Sequence, residues 1–286
     1  MKAKAIAYGA ITIVNAIPSG LGAAMGIDLW TEALVEFGEF GGIEVEIVDA
    51  VEEDKSLAEK VVKKVLKKAG LNRLGARVKT RSNIPIGKGL KSSSAAANAI
   101  ALASVKALNL NLSPEETVLI GVEASIEAGI SITGAYDDSY TSFFGGINVT
   151  DNISRRVLRR FRAPDDLRVL IMVPEEKLYT KDVDVEALKG IQEVSKKAVA
   201  MALNGRFWEA MTINGLTVSA VLKIDPRPII EALRRGTLAA GVSGTGPSIA
   251  AVLDENHLDE VRELFESYGR VLEAGVNNRT VEAFPV

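Results

Sequence analysis

The sequence predicts an α+β fold divided into two domains. Strand-like alternation of apolar and charged residues is clear at 43–47, where Ile and Val alternate with Glu. An amphipathic helix with a terminal glycine is equally clear at 56–70. A charged, proline-containing segment at 152–166 separates two halves of mixed character. Because domain boundaries fall in such polar segments, we expect domains at 1–160 and 161–286.

The first half reads as strands and helices in alternation. The apolar stretch within 1–20 is rich in β-branched residues and interrupted by polar ones, which favours a buried strand over a signal peptide. A strand over 76–85 precedes a helix that begins at 92–94. The following helix carries a capping box at Ser113 and Glu116. A short helix between glycines and a strand, over 133–150, complete this half.

The second half begins with an apolar run at 167–174, interrupted only by Arg168, which is typical of a buried strand. Helical patterns follow to about residue 235. The segment 237–254 then predicts a strand, a glycine loop and a second strand, before one more helix and a final strand.

Composition excludes several kinds of chemistry. The chain of 286 residues has no cysteine and one histidine, His257, which we expect on a solvated helix surface. Catalytic triads centred on histidine and zinc sites are therefore disfavoured. The net charge of −3 and the absence of a membrane-length apolar run predict a cytoplasmic protein without nucleic-acid or membrane partners. We interpret five arginines at 155–162 as a solvated surface, with an anion site as the alternative.

The stretch IPIGKGLKSSSAAA, residues 84–97, combines a flexible polar loop with the start of an apolar helix. The first N–H groups of a helix lack intrahelical partners and carry partial positive charge. Glycines allow close approach to the backbone, and lysines and serines add charge and hydroxyls. These properties suit a polyphosphate. The alternative is a tightly packed helix whose serines merely cap it. The spacing does not match a Walker A loop.

The same stretch resembles the second motif of the GHMP kinases, P-x-x-x-G-L-x-S-S-x-A. A later stretch, GVSGTGPSIAAV at 241–252, resembles their glycine-rich third motif. The resemblance implies a two-domain GHMP-kinase-like fold with the active site between the domains, and ATP and Mg²⁺ as cofactors. It also implies that the ATP loop consists of Pro85, Ile86, Gly87, Lys88, Gly89, Leu90, Lys91, Ser92, Ser93, Ser94 and Ala95.

Within this superfamily the chain resembles the archaeal-type shikimate kinases, on the blocks GAITIVNAI, GIDL and TGAYDDSYTSFFGGINVTDN. That resemblance implies phosphorylation of the 3-hydroxyl of shikimate, a small-molecule partner. Homoserine or mevalonate kinase activity and a non-catalytic metabolite-binding regulator on the same fold are the alternatives.

The resemblance also implies roles for individual residues. Counting back from the paired glycines at 145–146, it gives Asp138 as the base, with Asp137 beside it, and Glu127 as a magnesium ligand together with Ser93. The non-functional alternatives are that the two aspartates only stabilise the start of a helix through its dipole, and that Glu127 is simply an exposed surface residue. The implied substrate-binding residues are Asn15, Asp28, Gly244, Thr245 and Gly246.

One position departs from the pattern. Mevalonate-kinase-like relatives carry a lysine in the first strand that is thought to pair with the catalytic aspartate, and this chain has Ala10 there. Either Lys88 or Lys91 supplies the cation, or the aspartate mainly positions the hydroxyl. Phosphoryl transfer depends largely on positioning and charge neutralisation, so the change need not abolish activity.

Overall fold

The structure, a computed structural model, describes residues 1–131, 134–176 and 183–286. Its strands are β1 (Lys2–Val14), β2 (Leu21–Gly38), β3 (Ile43–Ile47), β4 (Gly75–Ser82), β5 (Ile147–Asp151), β6 (Arg156–Phe161), β7 (Arg168–Val173), β8 (Ala239–Val242), β9 (Ile249–Leu253), β10 (Arg270–Gly275) and β11 (Glu282–Pro285). Its helices are α1 (Ser56–Ala69), α2 (Ser92–Ala107), α3 (Pro114–Glu127), α4 (Tyr136–Phe144), α5 (Val185–Lys189), α6 (Gln192–Leu203), α7 (Phe207–Leu222), α8 (Arg227–Arg234) and α9 (Leu258–Glu266).

The strands form two sheets. The first has the order β11-β1-β2-β4-β3, and β5 pairs with β2 and β6. Its centre is the antiparallel pair of the two longest strands, β1 and β2. The second sheet has the order β10-β7-β9-β8 and is antiparallel throughout. The α+β architecture predicted from the sequence is therefore confirmed.

The predicted boundary, between residues 160 and 161, falls at the end of β6, and the next strand, β7, belongs to the other sheet. The second sheet is built from residues 168–275. The chain then returns to the first sheet, where β11 pairs with β1. The last strand thus belongs to the first sheet, although sequence distance places it with the second half. The first sheet is therefore formed by strands up to β6 together with the last strand, at 282–285.

Helix α2 is the buried support of the first sheet. Ten of its residues are buried, from Ser94 to Val105, and it packs against β1, β2, α1 and α3. A helix that is apolar around most of its circumference is stable only when it is enclosed. Because its body is held on all sides, its N-terminus at Ser92 is a fixed point for whatever binds there.

Local sequence signals set the helix ends. Ser113 and Glu116 form the predicted reciprocal capping box at the start of α3. Gly70 ends α1 in the left-handed conformation, at φ 70°. In the described residues, every helix is too short or too polar to cross a bilayer.

The two sheets meet through two glycine-rich loops. Gly89, before α2, has φ 77°, and a Cβ atom there would lie 2.0 Å from the Ser243 carbonyl oxygen. The Ser243 hydroxyl donates a hydrogen bond to the Gly89 carbonyl oxygen at 2.8 Å. Only glycine allows the 85–91 loop and the 243–247 loop to approach this closely.

We predict that Gly89→Ala separates these loops, because both the left-handed backbone and the Ser243 carbonyl oppose a Cβ atom. Gly70→Ala is the matched control, since Gly70 has a similar φ but a Cβ atom there would meet nothing within 4 Å. We expect Gly70→Ala to lower the free energy of unfolding by about 1–2 kcal/mol and Gly89→Ala to lower it further and weaken ATP binding. Denaturant unfolding and ATP titration measure both. Equal losses in the two variants would show that the loop contact is not constrained.

Candidate active site

A cavity of about 600 Å³ opens where the N-terminus of α2 faces the 243–247 loop. Its wall comes from the first sheet, from helices α1 to α4 and from the loops that connect them, and Gly244 and Thr245 come from the second half of the chain. Its polar lining consists of Thr12, Asn15, Thr31, Glu53, Asp54, Thr80, Ser82, Lys91, Ser92, Ser93, Ser94, Ser125, Ser131, Asp137, Asp138, Asn152 and Thr245.

The start of α2 presents unpaired backbone donors to this cavity. Ala95 donates the first bond of the helix, to the Lys91 carbonyl oxygen at 2.9 Å. The N–H groups of Ser92, Ser93 and Ser94 therefore precede the helical ladder. The first turn contains no acidic residue and no side chain caps it. This end of the helix can consequently bind an anion through backbone N–H groups and serine hydroxyls.

The predicted ATP loop is only partly exposed to the cavity. The residues of 85–95 that line it are Ile86, Gly87, Gly89, Lys91, Ser92, Ser93 and Ser94. Pro85 does not line it, and Leu90 and Ala95 are buried in the core below the loop. Leu90 and Ala95 therefore hold the loop in place, and Lys91 and the three serines between them line the cavity.

Lys88 points away from the cavity. Its ammonium donates to the carbonyl oxygens of Pro174, Glu175 and Glu176, at 2.5, 2.7 and 2.5 Å. An ammonium group has three donors, and these bonds engage all of them. The prediction that Lys88 contacts ATP is not supported by this placement. Lys88 instead ties the 85–91 loop to the segment that follows β7.

Lys91 is the lysine that lies next to Asp138. Its ammonium lies 2.9 Å from Asp138 Oδ1 and donates to Thr12 Oγ1 at 2.7 Å. The Lys91 and Asp138 side chains are only 6% and 17% exposed. Lys91 is the one Lys or Arg among the described residues that line the cavity. Of the two lysines proposed to assist Asp138, the structure therefore pairs Lys91 with it.

The surroundings of Asp138 hold it near a change of protonation state. Burial raises the pKa of Asp138 most, and the nearby Asp137 raises it further. Lys91 opposes both effects, and the resulting pKa is about 7. A carboxyl group with a pKa near neutrality can both accept and release a proton under ordinary conditions, as a general base must.

Asp137 is held by a different set of contacts at the start of α4. Its Oδ1 accepts a hydrogen bond from Asn152 Nδ2 at 2.7 Å, and its backbone N–H donates to Asn152 Oδ1 at 3.1 Å. Thr150 donates to the same Asn152 oxygen at 2.8 Å. The end of β5 thus fixes Asp137 in a single orientation beside Asp138.

The 243–247 loop is joined to β1 by side-chain hydrogen bonds. The Gly244 N–H donates to Thr12 Oγ1, and Asn15 Nδ2 donates to the Gly244 carbonyl oxygen, both at 2.8 Å. Asn15, Gly244 and Thr245, which are predicted to bind substrate, line the cavity. Gly246 does not, because it packs against Ile224.

Asp28 is predicted to bind substrate, and the structure does not bring it to the cavity. The pairing of β1 with β2 shifts register between Tyr8/Trp30 and Gly9/Ile27, which leaves Asp28 in an irregular stretch of β2. Its side chain is exposed and accepts a hydrogen bond from the Gly275 N–H at 2.8 Å. Asp28 therefore fastens the end of β10 to the first sheet.

Glu127 is predicted to bind magnesium, and it also lies outside the cavity lining. Its side chain is 54% exposed and forms an ion pair with Lys64 at 2.6 Å, which lowers the pKa of Glu127. Ser125 and Ala128, three residues apart, share the helix face that lines the cavity. Glu127 projects from another face of the same turn.

The arginines at 155–162 and His257 are surface groups, as interpreted from the sequence. Arg155 lies 3.7 Å from Glu123, Arg162 lies 2.7 Å from Asp165, and neither lines the cavity. His257 Nδ1 lies 3.0 Å from Asp254 Oδ1.

Sequence reasoning missed Thr12 and Asn152, which position Lys91 and Asp137. Thr12 is two residues from Ala10 and therefore on the same face of β1, so the strand period could have found it. Asn152 ends the block 133–152, whose last residues were not assigned roles.

No group of three or more His, Cys, Asp or Glu suited to a metal ion occurs in the described part of the chain.

Comparisons with known proteins agree with this geometry. The sequence pattern of the GHMP kinases N terminal domain matches residues 56–146, which contain the start of α2 and the two aspartates. The pattern of the GHMP kinases C terminal domain matches residues 195–271, which contain the 243–247 loop.

Among full-length relatives, the shikimate kinase of Methanothrix thermoacetophila is 42% identical over 281 residues, 98% of this chain and 96% of the relative. The shikimate kinase of Pyrococcus furiosus is 40% identical and covers 92% of this chain and 95% of its own.

Solved structures share the fold at low sequence identity. The homoserine kinase from Cytophaga hutchinsonii has a TM-score of 0.79 at 17% identity, covering 99% of this chain and 97% of its own. The mevalonate kinase of Methanococcus jannaschii has a TM-score of 0.79 at 18% identity, covering 96% and 98%. From the fold, the cavity and these matches together, we conclude that the chain belongs to the GHMP kinases, a family of ATP-dependent kinases.

Proposed function

We propose that the protein transfers the γ-phosphoryl group of ATP to the 3-hydroxyl of shikimate. The observation that carries the proposal is the buried Lys91–Asp138 pair beside the unpaired N–H groups of α2. Both features line one cavity, which supports a base at Asp138 and a phosphate site at the start of α2. The relatives with about 40% identity over nearly the whole chain support shikimate as the acceptor.

The nucleotide fits along the part of the cavity formed by α1, α2 and β4. The N–H groups of Ser92, Ser93 and Ser94 would receive the phosphates. Ile47, Leu57, Ala58, Ile86 and Ile100 add an apolar wall that suits a flat aromatic base. The negative charge of the polyphosphate would be balanced by the helix dipole and by Lys91.

The reaction then follows from the position of Asp138. The acceptor hydroxyl gives its proton to the Asp138 carboxylate, its oxygen bonds to the γ-phosphorus, and the bond to the ADP oxygen breaks. Lys91 keeps a fraction of Asp138 ionised despite burial and keeps its carboxylate in a fixed direction. Positioning and charge neutralisation of this kind supply most of the catalysis in phosphoryl transfer.

The residues at the α2 N-terminus also suit Mg²⁺. This ion keeps several waters and commonly uses one or two protein oxygens together with phosphate oxygens, so a cluster of carboxylates is not needed. Ser93, which lines the cavity, offers such a hydroxyl. Bound there, the ion would neutralise charge on the β- and γ-phosphates. Glu127 as a second ligand stays a prediction, and its side chain would have to leave Lys64.

Acceptor selectivity tests the proposed substrate. Shikimate presents three hydroxyls on a rigid ring, and the lining beside Asp138 is polar, with Asn15, Asp137 and Thr245. Buried polar groups discriminate against acceptors that leave them unpaired. We expect homoserine and mevalonate to be at least about a hundredfold poorer in kcat/KM, measured by ADP release. Faster turnover of either would reassign the substrate, and no turnover of any would favour a binding protein.

Asp138→Asn retains the shape of the side chain but removes the proton acceptor. We expect turnover to fall roughly 10²–10⁴-fold, with ATP affinity little changed, in single-turnover and ATP-binding measurements. Asp137→Asn is the matched neighbour and should lose less turnover. The reverse ranking would assign the base to Asp137.

The pH dependence of kcat/KM should report the Asp138–Lys91 pair. Asp138 must be ionised to accept a proton, so kcat/KM should fall as the pH drops below about 7. Lys91→Met removes the cation that lowers this pKa, which should move the acidic limb to higher pH. Lys106→Met, at an exposed lysine on α2, is the control and should leave the limb in place. An unmoved limb in Lys91→Met would contradict the pairing.

The Mg²⁺ requirement of the reaction tests Ser93 and Glu127 as metal ligands. Ser93→Ala should raise the Mg²⁺ concentration needed for half-maximal activity, because one oxygen ligand is lost. Ser104→Ala, a buried serine on the far part of α2, is the control. Glu127→Ala decides the second ligand: a raised Mg²⁺ requirement supports it, and an unchanged one excludes it. An unchanged requirement in Ser93→Ala would remove Ser93 from the metal site.

A further inference from the structure

Asp137 carries one carboxylate oxygen that the fold does not use. Its Oδ1 is bound by Asn152, whereas Oδ2 has no hydrogen-bond donor among the described residues. The residue is only 4% exposed and lines the cavity. Oδ2 itself is not sealed from solvent, so a ligand in the cavity can reach it. An acceptor this deeply placed is costly unless a donor meets it.

The backbone around Asp137 fixes where that oxygen lies. Asn152 holds both the side chain and the N–H of Asp137, which prevents rotation of the carboxylate. A Cβ atom on Gly22 would lie 2.5 Å from Asp137 Oδ2 and 2.8 Å from the Ala16 Cβ. Oδ2 therefore occupies a space that is open only because residue 22 is a glycine. A prearranged acceptor of this kind selects for a donor at one position.

The neighbouring carboxylate, Asp138, limits where on the ligand the donor for Asp137 can lie. Asp137 and Asp138 are consecutive, both line the cavity, and their charges interact strongly enough to raise the pKa of Asp138. Asp138 is assigned to the hydroxyl that is phosphorylated. A donor that reaches Asp137 at the same time must sit on an atom close to that hydroxyl. A second hydroxyl on the adjacent carbon satisfies both conditions.

We infer that Asp137 Oδ2 accepts a hydrogen bond from the hydroxyl adjacent to the one that is phosphorylated, which is the 4-hydroxyl when shikimate is the acceptor. Asp137 thereby determines specificity for a vicinal diol, and Asp138 alone takes the proton. The inference rests on the proposed function. It also explains why two consecutive carboxylates are kept in one cavity despite their mutual repulsion.

The test compares shikimate with its 4-deoxy and 5-deoxy analogues in the wild-type protein and in two isosteric variants. For the wild-type protein, loss of the 4-hydroxyl should lower kcat/KM roughly 10- to 100-fold, the range for a hydrogen bond to a charged group. In Asp137→Asn the free acceptor becomes a donor, so the ratio between shikimate and the 4-deoxy analogue should collapse towards one. The ratio between shikimate and the 5-deoxy analogue should stay at its wild-type value.

Asp138→Asn is the control for this ratio, since it should slow all three acceptors by the same factor. Gly22→Ala perturbs the same oxygen from β2 and should also reduce discrimination against the 4-deoxy analogue. If Asp137→Asn lowers kcat/KM equally for shikimate and the 4-deoxy analogue, the inference fails and the proposed function stands. If the wild-type protein does not phosphorylate shikimate, both fail.

Discussion

The active site depends on one buried ion pair, between Lys91 and Asp138. A carboxylate in this cavity is disfavoured by burial and by Asp137, and Lys91 restores enough stability to the charged form to hold its pKa near 7. Removing one partner of such a pair leaves an uncompensated charge, which usually destabilises a protein by more than the pair contributes. The surroundings therefore keep Lys91 in place. Its backbone adopts φ 65°, and Thr12 accepts a hydrogen bond from its ammonium.

The loop that carries Lys91 is held from both halves of the molecule. Leu90 anchors it in the core of the first half, and Gly89 brings its backbone against Ser243 of the second. Lys88 adds three hydrogen bonds to the segment after β7. Neighbouring residues of one short loop thus have different tasks: Lys88 fastens the loop, Gly89 permits the contact, and Lys91 faces the cavity. The glycine before α2 has a packing role in addition to exposing backbone to a phosphate.

Local signals made much of this predictable. The capping box of α3, the glycine at the end of α1 and the start of α2 depend on residues within a few positions of one another, and all were predicted from the sequence. Asp28, Glu127 and Lys88 lie outside the cavity lining for different physical reasons. Asp28 lies where β2 slips relative to β1, and such a slip is not encoded in an alternating pattern. Glu127 differs, since the helical period already sets it apart from Ser125 and Ala128. The choice between Lys88 and Lys91 required knowing which carbonyls and which carboxylate lay near the loop.

Lys91 supplies the cation that a lysine at position 10 would otherwise bring to Asp138. Residues 10 and 12 of β1 project to the same side of the strand, and Thr12 binds the Lys91 ammonium at 2.7 Å. The cation that assists Asp138 is therefore already above the face of β1 from which a residue-10 side chain would extend. A second ammonium there would repel the first and would compete for the same carboxylate. Ala10 is fully buried, so a lysine at this position would have to bring its ammonium group into the interior of the fold.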